Sequence, residues 1–176
     1  MELKPQDVLV LLKQVARPAT VWTYAALAES LHLSASQVHR SVQRCLAAGL
    51  AVSKGRGEWQ AVRSALLEFA VHGARYAFPA LPGAPRRGIP TSFGTLPLSA
   101  DIVGAAGDAP VWAHPLGEVR GPSLSPLCKT APDAALADPA LHELLALLDA
   151  LRAGRSRERA LAEKYLAERL EASRAG

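Results

Sequence analysis

Residues 23 to 50, TYAALAESLHLSASQVHRSVQRCLAAGL, constrain the fold of this chain more than any other stretch. They read as two short helices joined by a tight turn, and Ser34 and Gln37 form a capping-box pair at the start of the second. We expect the second helix to cover about residues 35–48, with Gly49 just past its end. At 100° per residue its apolar positions fall on one narrow arc, and its polar positions lie on the other side. The apolar positions are Val38, Val42, Cys45 and Leu46, and the polar positions are Ser36, Gln37, Arg40, Gln43 and Arg44.

The spacing of apolar residues across both helices forms a longer pattern. It runs Leu27-Ala28-x-x-Leu31-x-Leu33-Ser34-x-x-x-Val38-x-Arg40-x-Val42-x-x-x-Leu46-x-x-x-Leu50. Over roughly residues 5–63 the chain thereby resembles the winged helix-turn-helix regulators of bacteria, such as the MarR and GntR classes. The resemblance implies a domain that binds duplex DNA and places the second helix of its helix-turn-helix in the major groove.

Arginine and glutamine are the side chains that suit base recognition on such a helix. Arginine can donate two hydrogen bonds to O6 and N7 of guanine, and glutamine pairs similarly with N6 and N7 of adenine. Hydroxyl groups near a helix N-terminus suit phosphate. We therefore predict that Arg40, Arg44 and Gln37 read bases and that Ser34, Ser36, Gln43, Lys54 and Arg56 contact the DNA backbone. The alternative is an ordinary surface helix that presents these groups to water.

A short β-hairpin is predicted directly after the second helix. Residues 50–53 and 58–62 read as its strands, and the KGRG sequence at 54–57 reads as its turn. In the winged fold this hairpin is the wing, and we expect the β-prone residues 20–22 to pair with it. Two cations between glycines at the tip can approach phosphates or a minor groove, unless the turn is simply solvated.

The net charge of +4 is concentrated in the same part of the chain. Residues 1–63 contain eight basic and four acidic residues, whereas the remainder contains twelve of each. Neutralisation of phosphate requires such a positive excess. Its small size favours moderate affinity or binding as a dimer over tight binding as a monomer.

Residues 79–139 differ in composition from the rest, because they hold 11 of the 13 prolines and 7 of the 13 glycines. Long helices are excluded there. Interspersed apolar residues predict an ordered, irregular segment with short strands near 110–114 and 117–120, and a flexible linker is the alternative. The adjacent Arg86 and Arg87 are candidates to contact a phosphate or a partner carboxylate, or they are merely solvated.

The C-terminal part is predicted to be helical. A helix capped by Asp138 and starting at Pro139 carries leucines around more than half its circumference, so it must be buried in the protomer or against a dimer partner. The predicted fold is therefore mainly α with a small β-hairpin wing. Its parts are a winged helix-turn-helix DNA-binding domain at 1–78, a Pro/Gly-rich irregular segment at 79–139, and a helical dimerisation or partner-binding region at 140–176.

Several function classes lack their sequence signatures. No apolar run approaches the ~18 residues needed to cross a bilayer, and the N-terminus does not have a signal-peptide pattern. We therefore expect a cytoplasmic protein that does not act on a membrane. The five histidines and two cysteines show no metal-ligand spacing, and nucleophile and phosphate-loop motifs are lacking. We predict no enzyme activity, no catalytic residue, no metal and no cofactor.

Two hypotheses about function follow. The first is a sequence-specific, double-stranded DNA-binding transcriptional regulator that forms a homodimer through its leucine-rich C-terminal helices. The alternative is an antitoxin-like interaction protein in which residues 79–176 bind a partner protein, and DNA binding is secondary or autoregulatory.

Overall fold

Three helices begin the chain in the computed structural model, which describes residues 1–104 and 107–172. They are α1 (Pro5–Ala16), α2 (Tyr24–Leu31) and α3 (Ala35–Ala47). Thr23 caps α2, because its hydroxyl oxygen accepts a hydrogen bond from the backbone N–H of Ala26 at 3.1 Å. Helix α3 ends one residue earlier than predicted.

The turn between α2 and α3 is short and closed by backbone hydrogen bonds. His32 takes the left-handed conformation with φ of +53°, and the N–H of Leu33 donates to the carbonyl oxygen of Ala28 at 2.9 Å. Leu31 is fully buried beside this turn. Both helices pack against each other and against α1, so the orientation of α3 is fixed by the core.

A two-stranded antiparallel hairpin follows α3, as predicted. Its strands are β1 (Ala51–Gly55) and β2 (Glu58–Ala61). The side chain of Gln14 ties it to α1, since its amide donates to the Trp59 carbonyl at 2.8 Å and accepts from the Ala61 N–H at 2.7 Å. The prediction that residues 20–22 pair with this hairpin is wrong, because its sheet contains only β1 and β2 among the described residues and 20–22 have no strand structure.

A helix interrupted by a wide turn follows the hairpin. It comprises α4 (Arg63–Glu68), a π-helical turn (Phe69–Gly73) and α5 (Ala74–Ala77). A Cβ at Gly73 would stand 2.9 Å from the ring of Phe69, so this residue inside the helix has no room for a side chain. The glycine allows the phenyl ring to lie against the backbone.

The Pro/Gly-rich part folds into a small three-stranded sheet. Its strands are β3 (Pro82–Pro90), β4 (Val111–Ala113) and β5 (Val119–Leu124). Strand β3 is antiparallel to both others, and β4 meets β5 where Val111 lies beside Ser123. The prediction of an ordered segment with short strands is confirmed for β4 and β5. Strand β3 was not predicted. Two single turns of 3₁₀ helix, Ser92–Gly94 and Leu98–Ala100, follow β3.

Three further helices complete the described chain. They are α6 (Ala131–Ala137), α7 (Pro139–Ala153) and α8 (Ser156–Ala172). Helix α7 contacts α1, α5, α6 and α8, which makes it the central element. Asp138 caps it, because one carboxylate oxygen accepts hydrogen bonds from the N–H groups of Ala140 at 3.1 Å and Leu141 at 3.3 Å.

The leucine-rich helix α7 is buried within its own chain. Its leucines are each at most 4% exposed, and they share one continuous apolar core with α1, α3 and the three-stranded sheet. They are Leu141, Leu144, Leu145, Leu147, Leu148 and Leu151. Of the two alternatives predicted for this helix, burial in the protomer is found, because these leucines pack inside their own chain. The architecture is mixed α/β, and none of its described helices is long and apolar enough to cross a membrane.

Candidate nucleic-acid interface

Helix α3 has one buried face and one exposed face. Val38, Val42 and Cys45 are fully buried against α1 and α2. The opposite face reaches solvent and carries Ser36, His39, Arg40 and Gln43. The sequence predicted both faces from helical periodicity, because the hydrophobic positions recur every three to four residues.

The N-terminus of α3 is closed by a reciprocal capping box. The hydroxyl oxygen of Ser34 accepts from the N–H of Gln37 at 3.2 Å, and the Gln37 side-chain oxygen accepts from the N–H of Ser34 at 2.8 Å. The Ser34 hydroxyl also lies 3.2 Å from that of Ser36. The Gln37 side chain is therefore held against the start of the helix, and one of the two acceptor positions of its oxygen is used by Ser34.

Arg40 lies at the centre of the exposed face. Its Nε donates to the carbonyl oxygen of Ser36 at 3.3 Å, which holds the side chain along the helix. Its terminal guanidinium nitrogens have no hydrogen-bond or ion-pair partner in the described part of the chain. Gln43 is exposed one turn further along. Arg40 thus offers its two terminal guanidinium nitrogens as donors, and Gln43 offers a side-chain amide, to a ligand that lies along the helix.

Arg44 is directed to the interior of the protein. Its Nε and Nη2 donate to the two carboxylate oxygens of Asp7 at 2.7 and 2.6 Å, and Asp7 is completely buried. Nη2 also donates to the Ser41 hydroxyl at 3.2 Å. The hydrogen bond that Arg44 donates to the Asp7 carboxylate raises the pKa of the guanidinium. The ion pair uses the Nε–Nη2 edge of the guanidinium, so Arg44 joins α3 to α1 and does not belong to the exposed face.

The tip of the β1–β2 hairpin presents two cations. Lys54 and Arg56 are exposed, and Arg56 has φ of +52° between Gly55 and Gly57, which have φ of +87° and +81°. Three successive left-handed residues make a tight turn that glycine permits at low cost. The two cationic side chains therefore project from a narrow loop beside α3.

His39 is a member of the exposed face that sequence reasoning missed. Its ring contacts the Tyr24 ring edge-on, with centroids 5.3 Å apart, so it lies where α2 and α3 meet. The helical position of His39 next to Arg40 was the available signal. This signal is weak, because histidine is not one of the common base-reading side chains.

Two further buried groups, Asp149 and Cys45, lie away from the exposed face of α3. Asp149 is fully buried and accepts hydrogen bonds from Thr91 at 2.8 Å, from the Trp112 indole at 2.7 Å and from Arg152 at 2.7 Å. Burial raises the pKa of Asp149 although these partners act in the opposite direction. Burial also raises the pKa of the Cys45 thiol, to about 12, so this cysteine is not a thiolate at neutral pH. The hydrogen bonds of Asp149 hold the three-stranded sheet on α7, and Cys45 is part of the apolar core.

The described residues contain no group of three or more His, Cys, Asp or Glu side chains that could hold a metal ion. Comparisons of the chain with protein-family models, with curated proteins and with solved structures found no match.

Proposed function

We propose that the chain is a transcriptional regulator of the winged helix-turn-helix type that binds double-stranded DNA sequence-specifically. Helix α3 would lie in the major groove, and the β1–β2 hairpin would act as the wing. The observation that carries this proposal is the exposed face of α3. Arg40 and Gln43 are exposed to solvent there, on a helix whose other face is buried in the core. A rigidly held helix with exposed donors suits direct readout of bases.

The assignment of individual side chains follows from their hydrogen bonds. Arg40 is proposed as the principal base reader, because its terminal nitrogens can form the two-point contact with guanine. Gln43 and Ser36 would contact the groove edge or the backbone. Ser34 and Gln37 would act mainly by ordering the start of α3, and Arg44 by fixing its orientation through Asp7.

The hairpin tip and the charge distribution support contact with the DNA backbone. Lys54 and Arg56 are exposed on the turn that follows α3. The net charge of +4 arises entirely within residues 1–63, which contain α1 to β2. A positive surface next to the reading helix raises the rate of encounter with DNA and releases counterions on binding.

We propose binding through one α3 per chain and assign no dimer interface to α7, whose leucines are buried. The antitoxin-like alternative uses residues 79–176 to bind a partner protein and includes residues 79–139 as a segment that orders on binding. In the described part of that segment, β3, β4 and β5 are already folded against α7 of the same chain, so we favour the DNA-binding regulator.

The proposal is tested by fluorescence anisotropy with labelled DNA from upstream of the protein's own gene and with a scrambled duplex, at several salt concentrations. The parent protein should prefer the upstream duplex. Arg40→Ala should weaken binding to it by about 1–3 kcal/mol, roughly 5- to 150-fold, and reduce the preference. The exposed Lys164 on α8 provides a control, because Lys164→Ala removes one positive charge far from α3 and should bind like the parent. Equal binding by the parent and Arg40→Ala would rule out the reading role of α3.

A further inference from the structure

A patch of arginines forms on the three-stranded sheet, away from α3. Arg86 and Arg87 lie on β3, and Arg120 lies on β5. The register places Arg87 directly opposite Arg120, and all three residues are exposed. Like charges directly opposite on antiparallel strands destabilise a sheet. The fold therefore keeps a repulsive pair on an exposed part of the sheet.

None of these three arginines forms an ion pair with any residue in 1–104 or 107–172. The nearest carboxylate of α6, Asp133, bonds instead to His114 Nε2 at 2.9 Å. Arg87 Nε donates to the Gly117 carbonyl oxygen at 2.5 Å, which orients its guanidinium. Glu118 is close in sequence but is not paired with the patch. The charge of the patch is thus left for an external anion.

The arginines border a shallow depression of about 660 Å³. Its remaining lining is almost apolar and comes from the ends of β3 and β4. It consists of Ala84, Pro85, Ala113, His114 and Pro115. A guanidinium that borders such a surface can pair in a bidentate manner with phosphate oxygens, because the phosphate does not have to compete with a protein carboxylate.

The patch is connected to the helix pair α2–α3 by one layer of structure. Helix α6 packs against α2, and Asp133 of α6 bonds to His114. The backbone N–H of His114 in turn donates to the carbonyl oxygen of Arg87 at 3.3 Å. One helix, about 10 Å across, therefore separates α2 from the patch. One turn of a DNA duplex that lies on α3 is about 34 Å long, and this length is enough to extend past α2 and the patch.

We propose that Arg86, Arg87 and Arg120 form a second phosphate-binding surface, which contacts the backbone of the same DNA duplex outside the segment that α3 reads. This inference rests on the proposed DNA-binding function. It assigns a role to the sheet that the predicted winged domain does not include. The contact is sequence-independent, so it adds affinity and salt dependence but no preference for a base.

The test uses the double variant Arg86→Gln/Arg120→Gln, which keeps Arg87 and its bond to Gly117. The full-length protein is titrated with a mixed-sequence 30-bp duplex at several salt concentrations. Each lost phosphate contact should lower the log–log salt slope by about 0.9, so the double variant should lose about 2 units of slope and bind roughly 10-fold more weakly at low salt. The matched control is Arg155→Gln/Lys164→Gln, which removes two exposed charges near α8 and should keep the parent slope.

A titration of Arg40→Ala with the upstream duplex, at the same salt concentrations, separates this inference from the proposed function. In one outcome, Arg86→Gln/Arg120→Gln keeps the parent slope and Arg40→Ala binds upstream DNA more weakly. This outcome overturns the second phosphate-binding surface and leaves the reading role of α3 standing. A reduced slope in the double variant, with Arg40→Ala unchanged on upstream DNA, overturns the reading role of α3 and leaves the arginine patch as the site of DNA contact. Equal loss of slope in the double variant and its control means that only total charge matters, which also overturns the patch.

Discussion

Arg40 and Arg44 lie one turn apart on α3 and meet different surroundings. Arg40 projects into solvent, whereas the Arg44 side chain is 11% exposed and bonded to the fully buried Asp7. Helical periodicity alone assigns both to the polar face, because it takes no account of residues on other helices. Asp7 lies 37 positions earlier in the chain, so the pair is visible only in the folded protein.

The ion pair between Arg44 and Asp7 predicts an asymmetric effect of removing either partner. Arg44→Ala leaves a buried carboxylate with one remaining hydrogen bond, from the N–H of Lys4, and should reduce the free energy of unfolding by about 3–5 kcal/mol. Asp7→Ala should cost less, because the Arg44 side chain can turn towards solvent. Urea unfolding followed by circular dichroism measures both free energies.

Two further variants complete this cycle. Asp7→Ala/Arg44→Ala should cost much less than the sum of the single variants, because no charge is left unpaired. Arg40→Ala should remain within about 0.5 kcal/mol of the parent, as expected for an exposed position. A cost below about 1 kcal/mol for Arg44→Ala would show that the pair does not hold α3 on α1.

At the level of elements, the three-stranded sheet depends on close backbone contact at its glycines. A Cβ added to Gly88 would come 1.9 Å from the carbonyl oxygen of Trp112, and one added to Gly117 would come 2.2 Å from the Cα of Gly88. Both neighbours are backbone atoms, which cannot rotate away as a side chain can. The strands must therefore separate to admit a methyl group.

Gly88→Ala is expected to lower the free energy of unfolding by about 2 kcal/mol or more, through overpacking of β3 against β4. The exposed Ala84 on the same strand gives the matched control. Ala84→Val should change stability by less than about 0.5 kcal/mol, because its side chain points to solvent and β-branched residues suit strands. Thermal and urea unfolding of both variants measure this difference, and similar stability of the two would contradict the close contact.

Local signals explain which elements could be predicted from sequence. Helix α3 was predicted because Ser34 and Gln37 form its cap within four residues, and Gly49, with φ of +73°, ends it. Strand β3 was missed because it contains prolines and glycines, which argue against a strand when read alone. Its partners lie up to 42 residues further along the chain, as in the pairing of Pro82 with Leu124, and such long-range pairing leaves no local pattern.

The residues of the candidate site also fall into those that local sequence patterns predict and those that only the folded structure brings together. The exposed positions of Arg40, Gln43, Lys54 and Arg56 agree with helix and hairpin periodicity. The capping box of Ser34 and Gln37 is also predicted by the sequence, and it holds the Gln37 side chain against the start of α3. The arginine patch needed the β3–β5 register, because Arg87 and Arg120 are 33 positions apart in sequence.

At the scale of the whole molecule, a buried carboxylate joins the N-terminal helices to the central helix. Asp138, at the start of α7, accepts hydrogen bonds from Lys13 at 2.6 Å and from Arg17 at 2.8 Å, both on or next to α1. Burial would raise the pKa of Asp138, but the hydrogen bonds from Lys13 and Arg17 outweigh it and hold this pKa below the ordinary value. The contact links the helices that support α3 to the core around α7.

This lowered pKa predicts how the stability of the whole chain depends on pH. A carboxylate whose pKa is lower in the folded state contributes stability above its unfolded pKa, about 3.9, and loses it as the pH falls through the folded value. Asp138→Asn retains a helix-capping side chain but removes the charge. The variant should be about 3 kcal/mol less stable than the parent at pH 7, because Lys13 is left buried without a counter-charge.

The difference between parent and Asp138→Asn should shrink as the pH is lowered from 5 to 3, since the parent then loses the same charge by protonation. The raised pKa of Asp149 acts in the opposite direction, but that carboxyl group is present in both proteins and cancels in the comparison. Urea midpoints at pH 7, 5, 4 and 3 give the two curves. A difference that stays constant over this range would show that the charge of Asp138 does not hold α1 to α7.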